Sequence, residues 1–345
     1  MKYSENIILY DTDEFELIPI LNGVNSKSKY KFELYQRPEN IELNKHRSGK
    51  IDDIKRYMNY FKGGWSLFLH RNDYKRIICW QQFYALTFAF YCNIFHTKKC
   101  NQVIACNYTY KEKKGLVKKP YYWFMKKCLE RDIVDYIHIP SNLYADRICK
   151  EFYYDRDKII VHPFGILDDI ERLSKLPSPK GFEREGYFLS IGRSNRDYDF
   201  LVKVWEDIHY PLVIISDAYK KECSNPYITI RNDIGADDQY EWINNCKANI
   251  ICLNDGNIAS GDTVLLTSLS LGKIVVVSAP STLAEMYVES EVNGISVQKN
   301  IDMFRKIIQD IIGDKYCFIG KNARRSFLDR FERGELGKEI GTYVK

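Results

Sequence analysis

The chain has 345 residues, 45% of them apolar and 28% charged, with 51 Lys and Arg against 46 Asp and Glu and a formal charge of +5. That composition excludes disordered and collagen-like chains, and the charge is too small for a dedicated nucleic-acid binder. Ten cysteines are scattered without a C-x-x-C pair or a neighbouring His pair, so neither a zinc site nor a disulfide framework is indicated. Reduced thiols in a cytosolic chain are expected. The first residues hold no apolar stretch of signal-peptide length, and the longest apolar segment, Phe83–Phe95, is too short to span a bilayer. The expectation is a soluble, non-exported protein of one large or two smaller domains.

In chain order, apolar strand-like runs fall at Asn6–Tyr10, Phe32–Gln36, Arg76–Trp80, Gln102–Asn107, Tyr136–Pro140 and Lys158–His162. A second series follows at Tyr187–Gly192, Pro211–Ser216, Ile228–Arg231, Asn249–Leu253, Ile274–Ser278 and Gly294–Val297. Helical patterns separate most members of both series. Alternation of this kind predicts α/β architecture, with each half a Rossmann-like unit around a parallel sheet. The polar, proline-containing stretch Leu167–Glu185 reads as a linker, and Lys321–Lys345 reads as a tail helix packing back on the first domain. No repeat or low-complexity tract is visible.

Two stretches of the second half carry chemistry. In Gly192-Arg-Ser-Asn-Arg-Asp-Tyr198 a strand ends and a polar loop presents Arg193 and Arg196. Side chains after a parallel strand point into the ligand-binding crevice, and Arg engages two phosphate oxygens at once. A solvated turn with surface arginines is the alternative. In Asn254-Asp-Gly-Asn-Ile-Ala-Ser-Gly-Asp-Thr263 a strand leads through a glycine-containing loop into a helix starting near Asp262. The amides of Ser260, Gly261, Asp262 and Thr263 can form an anion site there, and a plain N-cap on Ser260 or Asp262 is the alternative.

Together these stretches resemble the C-terminal domain of GT-B glycosyltransferases, most closely those of glycosyltransferase family 4. Arg193 matches the family's Gly-Arg loop, Arg196 stands where a lysine is more usual, and Gly272-Lys-Ile-Val-Val276, Ala284-Glu285 and Asn293-Gly294 match later motifs. The likeness covers about Asp135 to Val297, while the first 130 residues match in pattern only. It departs at the family's paired glutamates, which fall at Ala259 and Thr267. Thr267 can still hydrogen-bond a hydroxyl, and Asp262 or Asp255 can replace the first carboxylate.

The resemblance implies two Rossmann-like domains facing across a cleft, about 1–170 for the acceptor and 180–320 for the nucleotide sugar, with 321–345 returning to the first. It implies sugar transfer from a UDP- or GDP-linked donor to a lipid-linked, lipopolysaccharide or capsule glycan, without metal or other cofactor and with retention. Arg193, Arg196, Ser260, Gly261, Asp262 and Thr263 would hold the donor diphosphate, with Thr267 or Glu285 on ribose or sugar. Asp11-Thr-Asp13 has the spelling of a metal motif but reads better as a strand-end loop or helix cap. If an acceptor hydroxyl needs a base, Asp11, Asp13 and His138, all near strand ends, are candidates. A sugar-nucleotide epimerase of the same architecture and a catalytically inactive binding subunit are the alternatives.

Trp80, Gln81 and Gln82 stand at a strand end, where a ring and amides can meet a sugar. A buried Trp and a capping Gln are the alternative. Lys98 to Arg131 carries ten basic residues against Glu112 and Glu130, a net +8, with Tyr121, Tyr122, Trp123, Phe124 and Met125 interleaved. Lysines and aromatics in that mixture suit an anionic membrane surface, although a solvated helix face is the alternative. The expectation is a cytoplasmic protein, peripheral on the inner face of a bacterial plasma membrane, with no nucleic-acid partner.

Overall fold

A computed structural model describes residues 4–45, 50–182, 186–258 and 260–345. Ala259, and residues 183–185 of the expected linker, lie outside the described residues. The chain divides into two compact units, Met1–Pro163 with Arg333–Lys345, and Phe164–Glu332.

The first unit is built on β1 (Asn6–Tyr10), β2 (Glu33–Gln36), β3 (Arg76–Cys79), β4 (Gln102–Ala105), β5 (Tyr136–Ile139) and β6 (Ile159–Val161). All pair in parallel, in the order β2-β1-β3-β4-β5-β6. Its helices are α1 (Ile18–Lys27), α2 (Ile41–Lys45), α3 (Lys50–Leu69), α4 (Gln82–Ile94), α5 (Lys118–Cys128) and α6 (Asn142–Phe152). Parallel pairing requires helical crossovers that cover both faces, which is why these strands read as unbroken apolar runs. Successive residues part to opposite faces. Ile7, Leu9, Ile77 and Cys79 join one core with Tyr60, Phe88 and Met125 of α3, α4 and α5, while Ile8, Tyr10 and Ile78 join another with Ile20 and Val24 of α1.

The second unit carries α7 (Ile170–Leu173), α8 (Tyr198–Val204), α9 (Gln239–Asn245), α10 (Asp262–Ser270), α11 (Thr282–Tyr287), α12 (Ile301–Ile312) and α13 (Ile319–Ser326). Its strands are β7 (Phe188–Ile191), β8 (Leu212–Ile215), β9 (Ile228–Arg231), β10 (Ala248–Ile251), β11 (Ile274–Ala279) and β12 (Ile295–Gln298). Their order is β12-β11-β10-β7-β8-β9, again all parallel. Counted from β7, that is the doubly-wound Rossmann order, whose direction of winding reverses between β7 and β10. In the first unit the reversal falls between β1 and β3. Ligands in such sheets bind beyond the carboxyl ends of the strands at the reversal, which singles out four loops in this chain.

The boundaries differ from the expected ones. The chain changes unit at Pro163–Phe164, and the described part of the expected linker, 167–182, belongs to the second unit. Leu173 is buried there, and the Asn245 amide donates to the Pro177 carbonyl at 2.8 Å. The return begins at Arg333 and not at 321, because Phe327 and Phe331 are fully buried in the second unit and Arg324 grips Asp168 through two bonds of 2.7 and 2.6 Å. The final helix, α14 (Arg333–Thr342), lies close against α1: a Cβ on Gly23 would collide with the backbone of Gly334, Gly337 and Lys338. Among the described residues no helix is long and apolar enough to cross a membrane.

Candidate functional site

In the second unit the loops after β7 and β10 are stitched together. Asn195 adopts a left-handed backbone (φ 56°), its amide donates to the carbonyls of Asp255 and Ile258, and its side-chain oxygen accepts from the Asp255 N–H at 2.9 Å. The Asn254 side chain donates to the Arg196 carbonyl at 2.7 Å. Asp197 accepts from the Phe200 N–H to cap α8 and pairs with Lys299 at 2.6 Å. This scaffold turns Arg196 inward, leaving it 8% exposed.

The Arg196 guanidinium donates from Nε to the Ile191 carbonyl and from Nη1 to Ser194 and Ser260. Its Nη2 donates to none of the described residues and lies against two glycines in left-handed conformations, Gly192 (φ 144°) and Gly261 (φ 106°). A Cβ at residue 192 would stand 2.8 Å from Nη2, and one at residue 261 would stand 2.5 Å from it. Only glycine both reaches those φ values and leaves the guanidinium its room. Gly261 also opens α10, so the free cationic donor sits beside the helix start, where backbone N–H groups and the dipole favour an anion. Burial lowers the Arg196 pKa, opposed by nearby Tyr198 and Asp262. Burial raises the Asp262 carboxyl, with Arg196 opposing, and Asp262 Oδ1 is buried without a hydrogen-bond partner.

Arg196, Ser260, Gly261 and Asp262 are therefore brought together. Arg193 is not part of that cluster: its side chain is 80% exposed and stands 3.4 Å from Asp217. Thr263 is exposed in the first turn of α10. Thr267 lies in the buried run of that helix and offers no surface to a ligand, whereas Glu285 is exposed. Asp255, the other substitute for a missing glutamate, spends Oδ1 on the backbone and side-chain amides of Asn257.

The reversal point of the first unit holds a small polar cavity of about 180 Å³, lined by Asn44, Arg56, Tyr60, Gln81 and Asn107 among others. Asp11, one residue past β1, is 3% exposed, and its Oδ2 has no partner. Burial pushes its carboxyl above the usual range, against hydrogen bonds from Asn44, Asn40, Tyr60 and Tyr84 that favour the charge. Asn107 likewise keeps a buried, unpartnered Oδ1. Asn107 thus offers a vacant acceptor to the cavity, and Asp11 lies behind Asn44 and Tyr60 of its wall, a lining suited to a hydroxyl-bearing ligand.

The other candidates of this unit sort differently. Asp13 is half-buried at the start of a 3₁₀ turn. Gln81 and Gln82 both line the cavity, and Gln82 is also held by Thr109 through bonds of 2.9 to 3.1 Å. Trp80 is half-buried and packs on the core facing α1. His138 is a correction: it is fully buried, Nδ1 accepts from the Asn107 N–H and Nε2 donates to the His162 carbonyl at 2.8 Å. Burial depresses its pKa to about 4, so it is a neutral structural group with no access to substrate.

Sequence reading missed Gly192, Asn195, Asp197 and Lys299. Only the run Gly-Arg-Ser-Asn-Arg-Asp, dense in turn formers, hinted at the first three, and nothing in the sequence pointed to Lys299. Among the described residues no group of three or more His, Cys, Asp or Glu could hold a metal.

No protein-family model matches the chain, and no curated protein sequence matches it. Solved structures do. A glycosyltransferase from Rickettsia africae superposes with a TM-score of 0.64 at 14% identity, over 98% of this chain and 97% of that one. Anabaena HepE in complex with UDP gives 0.62 at 12% identity, over 97% and 98%. WaaG, a glycosyltransferase involved in lipopolysaccharide biosynthesis, gives 0.57 at 12% identity, over 97% and 98%. Two parallel six-stranded sheets with helices on their faces, matched over nearly the whole chain to these enzymes, give this protein the GT-B fold.

Proposed function

We propose that the protein is a glycosyltransferase that moves a sugar from a nucleotide-diphosphate donor to a glycan acceptor. The observation that carries this reading is the Arg196 guanidinium, seated between Gly192 and Gly261 at the reversal point of the second sheet with Nη2 donating to none of the described residues. Glycosyl transfer builds negative charge on the departing diphosphate, and preorganised donors aimed at that charge contribute several kcal/mol. Arg196 and the amides at the start of α10 supply them without calling on a metal. Asp262, with its vacant Oδ1, takes the place of the absent glutamate by accepting from a sugar or ribose hydroxyl.

In the proposed step the acceptor oxygen bonds to the anomeric carbon while the bond from that carbon to the phosphate oxygen breaks. The acceptor proton passes to the departing diphosphate, which gives retention and leaves Asp11 to orient the hydroxyl as a hydrogen-bond acceptor. Structures sharing this fold include HepE with bound UDP and the lipopolysaccharide enzyme WaaG, which favours a uridine donor and a surface-glycan acceptor. The +8 stretch Lys98–Arg131 would hold the protein on the inner membrane face. Incubation with a panel of UDP- and GDP-sugars, with and without membrane extract, tests the proposal. Nucleotide release that depends on the extract is expected, and binding without release under every condition would leave a non-catalytic subunit.

A further inference from the structure

The first unit holds a much larger cavity that the donor and acceptor chemistry does not use. It has a volume of about 990 Å³, at the upper end of the range of roughly 300–1,000 Å³ for small-molecule sites. Its walls are mostly ring faces and aliphatic groups from α3, α4, α5 and the turn before α5, including Tyr57, Phe61, Phe90, Val117, Trp123 and Phe124, with Asp53 and Lys113 as its charged members. Phe61, Phe90 and Phe124 pack against one another with centroids 5.3 to 6.2 Å apart, so the wall is a fixed aromatic surface. From Ile54 of the wall, α3 carries an exposed apolar stripe outward through Ile51, Met58, Trp65 and Leu69 at helical spacing, which the sequence reading did not single out. Leu116, 98% exposed, and Val117, 59% exposed, form an apolar tip between Lys113, Lys114, Lys118 and Lys119.

We propose that this cavity takes a single hydrocarbon chain of an acceptor lipid with an anionic head. The inference rests on the glycosyltransferase reading and names the acceptor class for it. A peptide would bring backbone polar groups that need partners. The wall offers few, since the Thr87 hydroxyl is already bonded to the carbonyls of Tyr60 and Phe83. A hydrocarbon chain needs none, and its transfer from water is favourable in proportion to its length. The charges favour an anionic lipid: basic residues flank the apolar tip, Lys113 lines the cavity with Nζ 5.2 Å over the Tyr121 ring, and the carboxylate of the wall, Asp53, is paired with Arg56 at 2.7 Å. The cavity also shares Tyr57, Tyr60 and Phe83 with the small polar cavity that Arg56 lines. A chain in the groove thus brings its head group toward the polar cavity lined by Asn107, Gln81 and Arg56, the last of these bonded to Asp53 at 2.7 Å.

The test uses the full chain and octyl, decyl and dodecyl phosphate, each below its micelle concentration, titrated by calorimetry beside phosphatidylglycerol and phosphatidylcholine vesicles. Each added pair of methylenes is expected to tighten Kd by on the order of tenfold. The double variant Ile54→Asp, Val117→Asp changes two exposed wall residues and should retain the thermal melt of the parent. It is expected to lose the chain-length dependence. Equal affinity for octyl and dodecyl phosphate, or an unchanged series in the variant, would overturn the proposal. So would binding to anionic vesicles with none to the monomeric phosphates, which marks surface adhesion alone. Nucleotide-sugar affinity measured on the same samples separates the two readings. An intact chain-length series without any donor binding sinks the transferase and leaves the lipid groove standing.

Discussion

Gly261 and Arg196 are fitted to one another: any β-carbon at residue 261 would stand 2.5 Å from Nη2 of the guanidinium. The same residue has φ 106°, where an L side chain is strained by roughly 1–2 kcal/mol. Gly261→Ala therefore has to displace either the arginine or the first turn of α10. Donor affinity is expected to fall by about tenfold or more, in calorimetry with the nucleotide sugar that binds the parent, with far-UV circular dichroism unchanged. Parent-like affinity would show that the guanidinium position does not matter to the donor.

Arg196 and Arg193 lie three residues apart, and the structure separates their roles. Arg196→Ala removes a charged hydrogen bond to the diphosphate and should weaken donor binding by roughly 1.5 to 3 kcal/mol. Arg196→Lys should recover only part of it, since an ammonium lacks the planar fork that reaches Ser194, Ser260 and the ligand together. Arg193 is exposed and paired loosely with Asp217, so Arg193→Ala should change donor affinity less than twofold at physiological salt. Equal losses for the two alanine variants would return Arg193 to the site.

The fold was legible because parallel strands covered on both faces leave unbroken apolar runs, and all twelve such runs became strands. Unit boundaries were harder. Phe327 and Phe331 continue the apolar spacing of the tail, and nothing in that spacing says that they fill the second core while Leu336 and Ile340 fill the first. At the site, the two loops could be found by their glycines and charges, but the inward turn of Arg196 depends on Asn195, Gly192 and Gly261 acting together. His138 looked like a strand-end base, and only its two ring-nitrogen bonds reveal it as core. The stripe on α3 went unread in the sequence, because apolar residues at helical spacing are ordinary core signals until α5 is seen lining the same cavity.

Asp11 is expected to trade stability for function. Its folded pKa is raised by burial, so the folded state holds its proton to higher pH than the unfolded chain. Stability falls as pH rises through the window that opens at the ordinary carboxylate value of about 3.9. Asp11→Asn removes that slope, and urea titrations at neutral pH should find the variant no less stable than the parent. As an orienting acceptor Asp11 should contribute a hydrogen bond of roughly 1.5 to 3 kcal/mol to transfer, seen in kcat/KM. A loss of the order of 10³ or more in kcat, with an acid limb above the usual carboxylate range, would instead make it a general base.

His138 titrates in the opposite sense. Its folded pKa lies at about 4 against 6.5 for the free group, because burial disfavours the imidazolium. Above about 6.5 both states are neutral, and the contribution from its bonds to Asn107 and His162 is fully present. As pH falls from there to about 4, the unfolded chain takes up a proton that the folded chain refuses. On the order of 3 kcal/mol of stability is then lost across the window. Denaturant midpoints measured from pH 7.5 to pH 4 should trace that loss in the parent. His138→Gln keeps a side-chain donor and acceptor but does not titrate, so it should start from lower stability at neutral pH and show a shallower acid slope. The parent's slope reproduced in the variant would assign the acid sensitivity to other groups and refute the neutral, buried imidazole.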